Sequence, residues 1–523
     1  MDKDLQSIQE ARQLIQRAKA AQHAFKAFSQ EAVDRICQAM ANAGAREAER
    51  LARMAHEETG FGRVDSKTQK NLFATRTLWE RMRDMRTVGI IRKLEQEKIW
   101  EVATPMGVVA ALIPSTNPTS TAMYKALISA KARCGIVMSP HPSAVNCTSE
   151  ALRVVTEAAY AAGAPEGLFG CMTTIHLAGT NALLEHPDTD IILATGSTPM
   201  VRAAYSKGKP AYGVGSGNVP AYVDRSANLA KAAADLLTGA SFDWGTLCST
   251  ERSIVADLPI AQRLREELEQ RGGYFMSEEE KNKLRRFLLK DGHLNRAQVG
   301  QPPWKIAQLA GFSVPENTLA LIGETDQVGR HEPLSMETLS PILAFYVEDG
   351  WERGCERSIE ILHFGGLGHT LAIHCTNERI IREFALKKPA MRIVVNTVAA
   401  LGAVGYTTRL FPSMTLGPGT IGGSITSDNI SPRHLLNIKR VAFEAHPLNT
   451  PDGHPLNEKS TYASQTTHAH TSSHWIEEIE ARIRARAGNP PSAPSTRSTT
   501  SSTHLPLPDE EIEALIKRFR KSS

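Results

Sequence analysis

Gly107-Val108-Val109-Ala110-Ala111-Leu112-Ile113-Pro114-Ser115-Thr116-Asn117-Pro118 passes from an unbroken apolar run into a polar turn, and that change decides the class of fold. The run Gly107 to Ile113 reads as a buried strand, which sets Asn117 in the loop just past its C-terminal end. That end of a parallel strand is where α/β enzymes gather ligand-contacting groups. From Trp100 to Val223 short apolar strands alternate with Ala-rich helices such as Ser149 to Ala162, the signature of a parallel sheet with crossover helices. Ile191-Ile192-Leu193-Ala194-Thr195 is a further short buried strand. It leads through Gly196-Ser197-Thr198-Pro199 into a helical pattern from Met200 to Lys207, and a Gly-Ser-Thr turn before a helix is a seat for phosphate. A second alternating region runs from Leu229 to about Gly423, and residues 5 to 60 carry apolar positions at helical spacing.

Inside the second region stands Phe242-Asp243-Trp244-Gly245-Thr246-Leu247-Cys248-Ser249-Thr250-Glu251. The cysteine sits in a small-residue turn, after a helical pattern (Leu229 to Ala240) and before an apolar strand (Ser253 to Ala256). A sulfur presented at such a loop tip is placed to attack a carbonyl as thiolate.

The 523 residues exceed one compact core, so two or three lobes are expected. A net charge of +4, from 60 basic and 56 acidic residues, predicts neither a nucleic-acid nor a membrane partner. Seven cysteines without a Cys-x-x-Cys pair point to a reducing compartment and away from disulfides and thiolate metal sites. No secretory signal and no apolar run of about 20 residues is visible, so a cytoplasmic location is expected. After Pro447 the composition turns to Ser, Thr, Pro, Asn and His, which predicts a disordered linker over 447–508. Two helical patterns interrupt the tail, at 474–487 and 509–523. The second places Ile512, Leu515, Ile516 and Phe519 on one stripe. His454, His468, His470 and His474 are too irregularly spaced to predict a metal site.

Taken in order, these segments resemble the CoA-acylating branch of the aldehyde dehydrogenase superfamily, from about Ala20 to about Ala445. The resemblance extends to Ser139-Pro140-His141-Pro142, Gly213-Val214-Gly215-Ser216-Gly217-Asn218, Gly311 to Thr318, Gly365 to Thr370 and Thr415-Leu416-Gly417. It implies an α/β fold with a Rossmann-type cofactor domain, together with helices, over 1–240 and an α/β catalytic domain over 241–423. It also implies an oligomerisation segment over 424–446 and hence a homo-oligomer. By the same resemblance Cys248 is the nucleophile, forming a thiohemiacetal and then a thioester, with the Asn117 amide and the Cys248 N–H as oxyanion donors. NAD contacts are expected from Ile113, Ser139, His141, Pro142, Gly196, Ser197 and Gly215. Glu337 is expected on the nicotinamide ribose, and His369 belongs to the branch's Gly-His-Thr segment. NAD is preferred over NADP, although no diagnostic residue decides it.

Hydrolytic relatives carry a glutamate base in a Glu-Leu-Gly-Gly type segment. The matching stretch, Val214 to Asn218, contains no carboxylate. Without a base, water attacks a thioester slowly, so coenzyme A is the expected acyl acceptor. The expected substrate is acetaldehyde or propionaldehyde. The alternatives are a functionalised aldehyde such as sulfoacetaldehyde or succinate semialdehyde, or a non-catalytic scaffold role. The chain carries no second half like that of the alcohol/aldehyde dehydrogenase fusions, so no alcohol dehydrogenase activity is expected. The tail resembles encapsulation peptides, which predicts a microcompartment shell protein as partner of the C-terminal helix.

Overall fold

A computed structural model describes residues 2–290 and 292–455. The helical patterns predicted at 474–487 and 509–523 lie outside the described residues. The chain divides into two units, Met1–Phe443 and Glu444–Ser523. Of the second, the described part includes a bridge pairing Asn449 with Pro455.

The first unit opens with helices α1 (Lys3–Phe25), α2 (Gln30–Arg46), α3 (Ala48–Thr59), α4 (Val64–Leu72) and α5 (Leu78–Met82). A π-helical turn, Phe73–Thr77, joins the last two. Strands β1 (Gly89–Leu94) and β2 (Ile99–Pro105) form a hairpin, followed by β3 (Val108–Ile113), α6 (Pro118–Lys131), β4 (Gly135–Pro140), α7 (Val145–Ala161) and β5 (Phe169–Cys171). Next come α8 (Leu177–Glu185), β6 (Ile191–Thr195), α9 (Thr198–Tyr205) and β7 (Ala211–Val214). Strands β3 to β7 make a parallel sheet in the order β5-β4-β3-β6-β7. Sequence order reverses between β3 and β6, and such a switch point opens a crevice at the C-terminal strand ends.

The second sheet begins with β8 (Val219–Val223), α10 (Leu229–Ser241), β9 (Glu251–Asp257) and β10 (Gly273–Phe275). Beyond a two-residue ladder, β11 (Leu289–Lys290) with β12 (His293–Leu294), come β13 (Ala320–Glu324), β14 (Ile342–Glu348), β15 (Gly368–His374) and β16 (Ala390–Val395). Its seven strands are parallel in the order β10-β13-β14-β9-β8-β15-β16. The chain passes from one sheet to the other at residues 215–218, ahead of the boundary at 240 expected from the sequence. The reason is that β8 and α10 pack with the second core, where Val219, Ala221, Leu236 and Leu237 are buried. Finally β17 (Leu436–Ala442) runs antiparallel along β2 and forms an edge of the sheet β1-β2-β17.

The apolar runs read as strands are buried in the fold. All six residues of β3 and all five of β6 are inaccessible, as strands covered on both faces must be. The helix expected from Met200 starts two residues earlier, at Thr198, because Pro199 fits the first turn, where a missing N–H costs nothing.

Candidate active site

The Cys248 turn is built on a close approach. Gly62, at φ 73°, leaves room for the Asp243 carboxylate; a Cβ there would lie 2.0 Å from Asp243 Oδ1. Asp243 and Trp244 both adopt left-handed backbone, at φ 49° and 48°, a conformation costing about 1–3 kcal/mol per non-glycine residue. What holds it is a buried ion cluster. Asp243 accepts from the Arg63 N–H at 2.7 Å, from Lys67 Nζ at 3.1 Å, and from Lys70 Nζ and Thr246 Oγ1. Asp243, Lys67 and Lys70 are almost wholly excluded from solvent. Burial brings the Lys70 ammonium down to about 7, even though the Asp243 carboxylate pulls the other way. Below the turn, the buried Arg252 guanidinium donates to the carbonyls of Ser340, at 2.8 Å, and Gly245.

Asn117 is the N-cap residue of α6, yet its side chain makes no cap hydrogen bond. Its Oδ1 instead accepts from Lys70 Nζ at 2.5 Å. Its Nδ2 donates to Thr246 O at 3.2 Å and to Thr116 Oγ1 at 3.1 Å. The amide therefore faces the turn that carries Cys248, two residues beyond Thr246.

Cys248 is half-buried. Burial and the nearby Glu337 carboxylate push its thiol up to about 12; the Arg392 and Arg252 guanidinium groups and its own N–H act in the opposite direction. These surroundings work against the thiolate, the form expected to attack a carbonyl. The physical cause is the closed surroundings of the sulfur.

Glu337 lies in a loop, and its Oε1 accepts from the Gly217 N–H at 2.8 Å. Burial raises its carboxyl to about 7. The fold thus brings an acidic group against a segment that has none of its own. His369 is buried, with Nδ1 on Thr370 Oγ1 at 3.0 Å and no partner for Nε2. Burial first, then Arg392, takes its imidazole down to about 3, so it is neutral. Gly217 lies between this ring and the Cys248 backbone: a Cβ there would lie 2.1 Å from Cys248 O and 3.2 Å from His369 Cε1.

The remaining expected contacts gather at the C-terminal edge of the first sheet. His141 N–H donates to Ile113 O at 3.0 Å, and Ser139 Oγ pairs with Thr180 Oγ1 at 2.9 Å. The His141 ring accepts from Ser143 N–H, and Pro142 beside it is exposed. Across the switch point, Gly196 and Ser197 precede α9, whose first turn has no side-chain cap. Gly215 abuts Thr198, and Thr198 Oγ1 accepts from the Ser216 N–H at 3.3 Å. Free N–H groups at a helix start, bordered by glycines, form a donor set that fits a dinucleotide pyrophosphate. Ile113, Ser139, His141 and Pro142 thus group on one side of the crevice and Gly196, Ser197 and Gly215 on the other. Glu337, His369 and Cys248 meet at residues 214–218. Among the described residues no cluster of metal-ligating side chains occurs.

Lys67, Lys70, Asp243, Arg252 and Arg392 escaped the sequence reading. The available signals were two lysines three apart on one helix and an arginine entering an otherwise apolar strand.

The model of the aldehyde dehydrogenase family matches residues 4–274. The bifunctional aldehyde-alcohol dehydrogenase AdhE of Escherichia coli (strain K12) is 42% identical over 444 residues, 84% of this chain and 50% of that protein. The chain spans about half the length of the aldehyde-alcohol dehydrogenases it matches. An acetylating aldehyde dehydrogenase from Geobacillus thermoglucosidasius superposes with a TM-score of 0.84 at 50% identity, covering 86% of this chain and 99% of that one. A propionaldehyde dehydrogenase from the Clostridium phytofermentans fucose utilisation bacterial microcompartment gives 0.76 at 28% identity, covering 83% and 97%.

Proposed function

The chain belongs to the aldehyde dehydrogenase family, and we propose that it converts a short-chain aldehyde to its acyl-CoA with reduction of NAD. The observation that carries this reading is the shared turn: the Asn117 amide is tied to Thr246 O, two residues from the Cys248 sulfur. In this reading Cys248 Sγ releases its proton to solvent and adds as thiolate to the aldehyde carbon. Asn117 Nδ2 and the Cys248 N–H receive the developing oxyanion. Bound NAD would supply the hydride acceptor, and loss of hydride from the Cys248 adduct leaves a thioester on Cys248. The thiol of CoA then attacks the thioester carbon, and its proton leaves as Cys248 departs as thiolate. The departing Cys248 thiolate, the conjugate base of a thiol held up at about 12, is the acceptor for that proton.

A mainly apolar cavity that reaches Leu247, next to Cys248, is lined by Phe73, Phe242, Leu247, Leu401, Val404 and Met414, with Gln69, Lys70 and Tyr406 completing its wall. The apolar side chains support the reading of acetaldehyde or propionaldehyde as substrate. We further read β17, exposed along most of its length, as part of a subunit contact, and the tail beyond residue 455 as the segment that addresses the enzyme to a microcompartment.

Product analysis with aldehyde and NAD decides the chemistry. Acyl-CoA with CoA present, and no steady-state acid without it, is expected. Rapid formation of free acid without CoA would assign Glu337 the role of activating water instead. Cys248→Ala is expected to abolish NAD reduction while leaving the fold intact.

A further inference from the structure

Lys67 and Lys70 lie three residues apart on α4, so both side chains leave the same face. A lysine pair on a helix usually lies in water, whereas here both ammonium groups are buried against one carboxylate, Asp243. Two cations on one anion leave an excess positive charge in the interior, a costly arrangement unless other acceptors are met. The acceptors they meet belong to the oxyanion-donor loop. Lys67 Nζ donates to the backbone carbonyl of Thr116 at 3.2 Å, and Lys70 Nζ to the side-chain oxygen of Asn117 at 2.5 Å. One lysine holds the backbone ahead of the asparagine and the other holds its amide.

In its charged form, which the Asp243 carboxylate favours, Lys70 has donors and no acceptor. With Lys70 facing it, Asn117 can present only Oδ1 on that side, and Nδ2 must point the other way, toward the Cys248 turn. If the amide turned over, an NH2 group would face the ammonium inside a buried site. We propose that Lys70, anchored by Asp243, is a positioning residue that fixes the orientation of the Asn117 amide, keeping Nδ2, which here donates to Thr246 O and Thr116 Oγ1, on the side of the Cys248 turn, where the reacting carbonyl oxygen would replace one of these acceptors. Lys67 supports the same loop through Thr116 O. Asp243 couples this support to the nucleophile, because the same carboxylate holds the left-handed backbone that begins the Cys248 turn. The inference rests on Asn117 acting as oxyanion donor.

A double-mutant cycle on the full-length enzyme, assayed with propionaldehyde, NAD and CoA, separates the two ideas. Loss of one oxyanion donor costs about 100- to 1000-fold in kcat, so Asn117→Ala and Lys70→Met are each expected to lose about 100-fold, with KM for NAD within about twofold. Because Lys70 acts through Asn117, the double variant is expected to fall no further than Asn117→Ala alone. Losses that multiply in the double variant would make Lys70 a general structural residue and overturn the proposal. A Lys70→Met enzyme retaining more than a third of the wild-type rate would do the same. If Asn117→Ala itself is fully active, the oxyanion reading falls first, which distinguishes that failure from the failure of Lys70. Should Lys70→Met not fold, Lys70→Gln serves in the same cycle, and losses that multiply with Asn117→Ala overturn the proposal equally.

Discussion

Glu337 Oε1 and the Gly217 N–H lie 2.8 Å apart, so the acidic group nearest the nucleophile is held by the very segment in which the sequence offers no base. Its charge raises the Cys248 thiol. Replacing it by Glu337→Gln keeps an acceptor for Gly217 and removes the charge. Cys248 should then ionise more readily, and alkylation by iodoacetamide at pH 8.5 should speed up several-fold. Mass spectrometry of the labelled peptide reads the rate, and an unchanged or slower rate would contradict the placement.

In the enzyme alone, the thiol brought up to about 12 leaves little thiolate near neutrality. Only the thiolate reacts, so labelling of Cys248 should rise about tenfold per pH unit from 7 to 10. A plateau near pH 7 would show a nucleophile already activated by its surroundings.

His369 and His374 are buried, with folded values of about 3 and about 4, chiefly because burial disfavours the charged ring. Both lie below the ordinary 6.5, so on acidification the unfolded chain takes up protons that the folded chain refuses. Their contribution to stability is complete above pH 6.5 and is lost as pH falls toward 4. Denaturant midpoints should therefore drop between pH 7 and 4, and His369→Gln should flatten that slope. Identical slopes for the two proteins would exclude the linkage.

Phe242 presents its ring to the apolar cavity beside Leu247. Phe242→Leu enlarges that space, and the ratio of kcat/KM for butyraldehyde over acetaldehyde is expected to rise about tenfold, the scale of a methylene difference. Steady-state kinetics over C2 to C4 aldehydes measures it, and an unchanged ratio would place the alkyl chain elsewhere.

For the tail, residues 489–523 fused to a fluorescent protein should co-purify with shells in cells making the cognate shell proteins. Leu515→Glu, which interrupts the apolar stripe, should abolish capture. Diffuse fluorescence that never accompanies shells would end this reading.

Strands β3 and β6 and the Cys248 turn were legible because each is local: an unbroken apolar run, or small residues between two patterns. Asn117 was legible as a loop residue, and its freedom from capping duty was not. That freedom depends on Lys70, 47 residues earlier, and on Thr246, 129 residues later. The Asp243 cluster was hidden for the same reason, since its carboxylate and Lys70 are 173 residues apart and lysines on a helix read as solvated. The boundary between the sheets was misread because β8 continues the strand-helix alternation without any break in composition.

The crowding around Gly217 bears on ancestry. Of the five positions from 214 to 218, Val214 is embedded in the apolar core and Gly217 has no room for a Cβ. Gly215 abuts Thr198, and the Asn218 amide is committed to Ser335 O. Ser216 alone among them is exposed. A lineage acquiring a carboxylate here to recruit water would find open space at Ser216, whereas Gly215 and Gly217 are closed by their neighbours. Divergence between thiol-using and water-using descendants of such a fold is thereby restricted by space before it is restricted by chemistry.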